Sequence, residues 1–388
     1  MRDSQNGRKK TSGFVSDKLR EERIEKKRRK LADKNRKRMS LLTKFKIILA
    51  AVLILAVVYA AFQIADMISK SSGAMLTDAG LTHQSRYRGD LVINGIDVSI
   101  HQGENIKWEK VKSSGADFAF VRAGYRDAED GSLHEDSRFE DNIEDAHKAG
   151  LMTGAYFFSQ AVTPEEAKEE AEMLLDLVDD LDIDLPLVID FEMYEDGRLA
   201  KLLNSEEYIA ASQGHDIVLA FCRTVEEAGY ESAIYANYDM FAHYMDAGIL
   251  AESTNLWLAQ YGGEASLDTE YLFWQCADNS QIGGIHGNVD HNIWYIDPDR
   301  VYPTFAAGKG KDRTSIGDCV VHFNKESYKL KHHRAVPKVS LTCEGRRMRR
   351  NKDYTASVIN NTAAGTGYVI VRGKGRYQGW KAVPFTIE

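Results

Sequence analysis

Apolar and polar positions follow two periods along the middle of the chain. Eight short apolar runs read as strands: "INGIDVSI" (93–100), "FAFVRAG" (118–124), "MTGAYFFS" (152–159), "LPLVIDFE" (185–192), "SAIYAN" (232–237), "LWLAQY" (256–261), "YLFWQCA" (271–277) and "HNIWYI" (291–296). Segments of helical period separate the first five. In "FEDNIEDAHKAG", Phe139, Ile143 and Ala146 recur at helical spacing and Gly150 closes the end. In "TPEEAKEEAEMLLDLVDDL", Thr163 suits the cap, Pro164 the first turn and Glu166 the capping-box position, ahead of a stripe of Ala167, Ala171, Leu174, Leu175 and Val178. "HDIVLAFCRTVEEAGY" is a third helix. Strands alternating with helices predict a parallel sheet closed as a barrel. The last three strands are too closely spaced for full helices. The expected α/β fold is an eight-stranded barrel over residues 91–300 with five helical crossovers.

The flanks break this pattern. Residues 310–388 hold short β-type runs such as "KVSLTCEG", "DYTASVIN" and "TGYVIVRGKG", and no amphipathic helix, which predicts a small all-β module. Upstream, "IILAAVLILAVVYAAFQIA" (47–65) is uncharged throughout and about long enough to cross a bilayer. Residues 1–46 are a basic tail, and 66–90 a polar linker. Lys44 and Lys46 abut the apolar run, so the positive-inside rule keeps the tail cytosolic and places the rest outside the cell membrane, single-pass. A cleaved signal peptide is the rival reading, against which the length of the charged tail counts.

Charge follows the same divisions. Residues 1–46 carry 18 basic against 6 acidic residues, 66–300 carry 15 against 46, and 301–388 carry 17 against 6. The basic tail reads as a solvated cytoplasmic segment and not as a nucleic-acid arm. Cys222 and Cys276 sit in apolar contexts and read as buried thiols; Cys319 and Cys343 can pair in an oxidising compartment. No Cys or His spacing indicates zinc, and no cofactor or metal is expected.

The stretch "LPLVIDFEMY" carries the candidate chemistry. Asp190 and Glu192 are two apart in an apolar strand, so they share one side of it. In a parallel barrel, catalytic groups gather at the carboxyl ends of strands. Asp97, in "GIDVSIHQG", lies near the end of the first strand, and Asp290, in "GNVDHN", precedes the eighth. Four carboxylates can then face one cleft. Tyr125, Tyr156, Phe158, Tyr235, Trp257, Tyr261 and Trp274, in or just after strands, supply aromatic faces. Gln275 stands beside them as a further substrate-binding candidate. Carboxylates among aromatic faces suit a sugar polymer. Glycoside hydrolysis needs one protonated carboxyl and a second group that steadies the cationic centre or activates water.

At these residues the chain resembles glycoside hydrolase family 25, the lysozymes. "GIDVSIHQGENIKWEKVKSSGADFAFVRAGYR", "AHKAGLMTGAYFFSQAVTPEEAKEEA", "LPLVIDFE", "IYANYDMF", "LWLAQY" and "FWQCADNSQIGGIHGNVDHNIWY" carry the likeness over residues 93–296. It implies a TIM-like (β/α)5β3 barrel that cuts the β-1,4 bond after N-acetylmuramic acid in peptidoglycan. By position Glu192 resembles the general acid, Asp190 its partner toward the 2-acetamido group, and Asp97 and Asp290 the remaining cleft carboxylates. Ile100, His101 and Phe191 depart from the family's usual residues and are expected to alter the cleft floor. The segment "KDYTASVINNTAAGTGYVIVRGKGRYQGWKAVPFTI" is similar to small immunoglobulin-like repeats of bacterial surface proteins, with a spacer or an anionic-wall-polymer binder as its alternative roles. A catalytically inactive peptidoglycan-binding barrel and a hydrolase of another N-acetylated polysaccharide stay open beside the lysozyme reading.

Overall fold

The computed structural model describes residues 20–37, 75–205, 208, 211–302, 313–332 and 334–388. The apolar run Ile47–Ala65 lies outside the described residues. Among those described, no helix is long and apolar enough to cross a membrane. Residues 20–37 form a helix exposed along its whole length, with Arg29 and Glu25 paired at 2.8 Å.

The central unit is built on nine strands: β1 (Leu91–Val98), β2 (Phe118–Arg126), β3 (Leu133–Glu135), β4 (Met152–Ser159), β5 (Leu187–Phe191), β6 (Ser232–Asn237), β7 (Asn255–Ala259), β8 (Phe273–Ser280) and β9 (Val289–Ile296). Eight close on themselves in the order β1-β2-β4-β5-β6-β7-β8-β9, and β3 hangs on β2 as a hairpin. The eight coincide with the eight predicted runs. Helices Trp108–Ser113, Phe139–Lys148, Pro164–Val178, Arg198–Leu203, Ala211–Ala228 and Ala247–Ala251 fill the connections up to β7. The third begins as expected: Thr163 Oγ1 accepts from the Glu166 N–H at 3.2 Å, while the Glu166 carboxylate reaches back to the N–H of Val162 at 2.9 Å.

One strand departs from the expected all-parallel sheet. β9 runs antiparallel to both β8 and β1. A parallel return needs a crossover of a dozen or more residues, and the chain between Ser280 and Val289 is shorter than that. The direction matters for the site. A residue preceding a parallel strand would sit at the far end of the barrel. Because β9 is reversed, Asp290 stands directly opposite Asp97, at the mouth formed by the carboxyl ends of the other strands.

Alternation divides the apolar residues into two cores. Outward positions such as Ala119, Val121, Leu187, Ile189, Phe191, Ile234 and Trp274 pack under the helices. Inward positions such as Phe118, Phe120, Val188, Ala233, Trp257, Phe273 and Trp294 fill the barrel. The filling depends on two glycines. A Cβ on Gly95 would stand 2.4 Å from the Phe118 ring, and one on Gly154 would stand 2.4 Å from that of Phe120.

Residues 75–90 do not behave as a spacer. Tyr87 is buried, stacks on Tyr295 at 3.8 Å and donates to the Tyr271 carbonyl at 2.8 Å. The C-terminal module is all-β, with a four-stranded sheet containing Tyr354–Ile359, Gly365–Gly373 and Trp380–Ile387 and a three-stranded one containing Cys319–Phe323 and Val339–Cys343. Cys319 and Cys343 face each other across two antiparallel strands and form a disulfide. Cys222 and Cys276 are buried free thiols. The module packs on the barrel's closed end: Ile359, Ile370, Trp380 and Ala382 share the inner core with Phe118, Met152 and Leu185. Polar ties reinforce this contact. The Asn360 N–H donates to Asp117, the Ser357 hydroxyl to Asp184, and the Arg334 guanidinium to the carbonyl of Ala149.

Candidate active site

A cleft of about 840 Å³ opens at the barrel mouth, lined by Asp97, Asp190, Glu192 and Asp290 together with Tyr125, Tyr156, Phe158, Tyr235, Trp257, Tyr261 and Gln275. Eleven of the twelve residues singled out in the sequence therefore reach one space; Trp274 does not. One register across the sheet brings four of them together: Phe158, Asp190, Tyr235 and Trp257 stand side by side on β4 to β7. Asp190 follows Val188 on the inner face of β5, and Glu192 comes two residues later, just past the strand. Outward Phe191 is fully buried under the helices and does not floor the cleft; Ile100 and His101 do line it. Trp274 also points outward, its indole N–H donating to the Gln260 carbonyl.

The carboxyls form two neighbouring pairs. Asp97 is buried and accepts from the Gln275 amide at 2.9 Å and the Asn292 amide at 2.7 Å. Burial raises its pKa, and three donors oppose that: the Asn292 amide, the Gln275 amide and the Asp290 carboxyl. Asp290 is pushed up to about 8, first by burial, then by the charge of Asp97 and the hydrogen bond between them. The pair thus shares one proton, held by Asp290. Burial and the charge of Asp97 also push Glu192 up to about 7, which makes it a protonated acid close to neutrality. Asp190 is raised well above the carboxylate range by burial, then by Glu192 and Asp97, with Arg122 opposing. No donor among the described residues reaches its buried Oδ1 atom.

Gln275 lines the cleft and is tied to three of its residues. Its Oε1 accepts from both Tyr235 (2.9 Å) and Tyr261 (2.7 Å), and its amide donates to Asp97. It positions Asp97 through one of its two amide hydrogens. Trp257 is likewise engaged, donating to Asn292 at 2.9 Å and stacking on Phe120 at 4.4 Å.

Asn292, Arg122 and Asp136 escaped the sequence reading. Asn292 stands at i+2 from Asp290, so alternation alone pointed to it. Arg122 lines the cleft, tied to buried Asp136 through Nε and Nη2 at 2.9 Å each, with its guanidinium 5.4 Å from the Tyr125 ring centre. Arg122 and Tyr125 are three apart and belong on opposite faces of a regular strand. A bulge between Arg122 and Gly124 turns both inward. Gly124 permits it: a Cβ there would meet the His134 carbonyl at 2.5 Å.

The proton held by Asp290 has a stability consequence. Its folded-state pKa is raised from 3.8 to about 8. Between these values the unfolded chain has released a proton that the folded protein keeps, so stability falls as pH rises through this window. Asparagine can still donate to Asp97 and does not titrate. Asp290→Asn is therefore expected to raise the melting temperature, with a gap over the parent that widens from pH 4 to pH 8. Melting curves across that range check it; a constant gap would contradict the shared proton.

A closed barrel with crowded carboxyls at one mouth holds the groups that glycoside hydrolysis needs. The family model described as glycosyl hydrolases family 25 matches residues 96–285. The uncharacterized protein YegX of Escherichia coli strain K12 is 31% identical over 218 residues, 54% of this chain and 72% of that protein. The chain belongs to glycosyl hydrolase family 25. It is also 25% identical over 199 residues to an autolytic lysozyme of Clostridium acetobutylicum, covering 51% of this chain and about half (54%) of that relative's length. A crystal structure of a bacterial lysozyme from Streptomyces coelicolor shares 26% identity, with a TM-score of 0.44, over 52% of this chain and 91% of that one.

Proposed function

We propose that the chain is a peptidoglycan hydrolase that cleaves the β-1,4 bond between N-acetylmuramic acid and N-acetylglucosamine. The observation that carries this is Asp190 Oδ1, a buried acceptor without a donor beside a protonated Glu192. An unpartnered buried acceptor costs about 1–3 kcal/mol. The N–H of a 2-acetamido group on the bound sugar supplies the missing donor. Glu192 then protonates the leaving oxygen. The acetamido oxygen attacks the anomeric carbon from the opposite face, while Asp190, ionised once the acetamido N–H of the bound sugar donates to it, steadies the positive charge that develops on the acetamido nitrogen. Asp190 and Glu192 approach from one strand, so neither reaches the face opposite the leaving group. Water then opens the cyclic intermediate with Glu192 as base, giving net retention without a covalent glycosyl-enzyme.

The site's surroundings fit an anchored, outward-facing enzyme. The uncharged run Ile47–Ala65 follows a basic tail, and the Cys319–Cys343 disulfide suits an oxidising compartment. Incubating the protein with purified peptidoglycan should release new N-acetylmuramic acid reducing ends, with the β anomer first in proton NMR. Ends on N-acetylglucosamine, or no new ends, would defeat the substrate assignment. An initial α anomer would mean inversion, with Asp97 or Asp290 activating water.

A further inference from the structure

A second concave surface lies on the C-terminal module, away from the catalytic mouth. Lys325, Lys329, Lys331, His332 and Lys338 line a groove of about 880 Å³ there. All five side chains are exposed. We propose that this groove binds a linear polyanion whose charges are repeating phosphodiesters, the chemistry of a polyol-phosphate chain attached to a cell wall. The proposal rests on the wall location argued above.

Docking of the module onto the barrel does not account for these cations. The basic residues used for docking are Arg334, on the Ala149 carbonyl and near Glu109 at 3.4 Å, and Arg372, on Glu231. The four lysines of the groove pair with no carboxylate among the described residues. Glu388, the one acidic side chain lining the groove among the described residues, already accepts from the Ser327 hydroxyl at 2.6 Å. Several unpaired cations converging on one concavity repel one another, and a polyanion relieves that repulsion.

The type of cation narrows the ligand. Lysine is a compact point charge on a flexible stem that pairs with phosphate without the planar, bidentate geometry arginine brings to carboxylates and phosphates alike. A row of lysines suits evenly spaced, singly charged phosphates on a flexible chain. Nucleic acid fits less well, because single strands are held by open aromatic faces. Among the described residues, Tyr328 is the one Phe, Tyr or Trp lining the groove; it is 7% exposed and its hydroxyl is bound to Asn324. An anionic membrane would call for an apolar surface to insert. Val336 is the exposed apolar residue lining the groove.

Position gives the groove its use. Arg334, at its edge, touches Ala149 just before β4 begins, at the barrel end opposite the cleft. A polymer held there leaves the catalytic mouth open. It also keeps the enzyme near wall glycan at a high effective concentration.

The test compares full-length protein with the K325E/K331E/K338E variant, whose substitutions are all at exposed positions. Purified poly(glycerol phosphate) is the probe, with poly-glutamate, single-stranded DNA and anionic phospholipid vesicles alongside. The parent is expected to bind poly(glycerol phosphate) with an affinity that falls as salt rises, and the variant to bind at least about tenfold more weakly. Hydrolysis of peptidoglycan stripped of phosphate polymers should be equal in the two. Equal affinity of parent and variant would overturn the proposal. So would binding of poly-glutamate, DNA or vesicles as tightly as the phosphate polymer. Failure of the hydrolase reading shows separately, as loss of hydrolysis in both proteins with polymer binding intact.

Discussion

Glu192→Gln is expected to lower the rate of wall hydrolysis by about 10²–10⁴, the usual worth of a positioned proton donor. Glutamine keeps the shape of the neutral acid and has no proton to release to the leaving oxygen. The fold should tolerate it. The folded-state pKa of Glu192 is raised to about 7, so near neutrality the parent already holds this side chain largely uncharged. Between 4.5 and about 7 the unfolded chain releases a proton that folded Glu192 keeps, so the parent loses stability across that window that glutamine does not lose. The variant should therefore melt at or above the parent temperature, most visibly at alkaline pH. The parent's kcat/KM should fall as pH rises through about 7, because the acid form is the active one, and the residual rate of the variant should lack that limb. Single-turnover hydrolysis across pH 5–9 tests both points. A well-folded Glu192→Gln protein with near-parental turnover would remove Glu192 from the mechanism.

Arg372→Met is expected to destabilise the protein by about 3–5 kcal/mol, the usual cost of orphaning a buried charge. Arg372, on the module, meets Glu231, on the barrel, at 2.5 Å; their side chains are 14% and 3% exposed. Glu231 Oε1 has no aligned hydrogen bond among the described residues, so its contact with Arg372 Nη1 is an ion pair more than a directed bond. Removing the arginine leaves Glu231 charged, buried and unpartnered. Arg372 also lies 5.6 Å from the Trp380 ring centre, and Trp380 stacks on Tyr302 at 4.0 Å. Replacing both charges, Glu231→Met with Arg372→Met, should recover most of the loss, because apolar pairs of similar volume often match buried ion pairs. Denaturant unfolding of the four members of the cycle measures this. A single-variant cost below about 1 kcal/mol, the range of exposed pairs, would mean that the module does not seal the barrel's closed end through this contact.

The sequence by itself determined which residues form strands and which side chains share a face, because both follow from local geometry. Alternation placed Asp190 and Glu192 together before any contact was known, and it equally implied Asn292 beside Asp290. The helical stripes and the cap at Thr163 were legible for the same reason: each depends on residues within one or two turns. The tertiary structure decided everything that required two distant segments to meet. Only the reversed direction of β9 brings Asp290 opposite Asp97. Only the bulge after Arg122 turns that arginine and Tyr125 to the same side. Only the closed sheet ties Gln275 to three partners, contributed by β1, β6 and the segment after β7. The module likewise read as separate, since nothing in its own pattern reveals that Trp380 and Arg372 are half of a shared core. The proton balance of the cleft belongs to this second class as well. A carboxyl's pKa is set by burial and by charges from other strands, and neither exists until the barrel has closed.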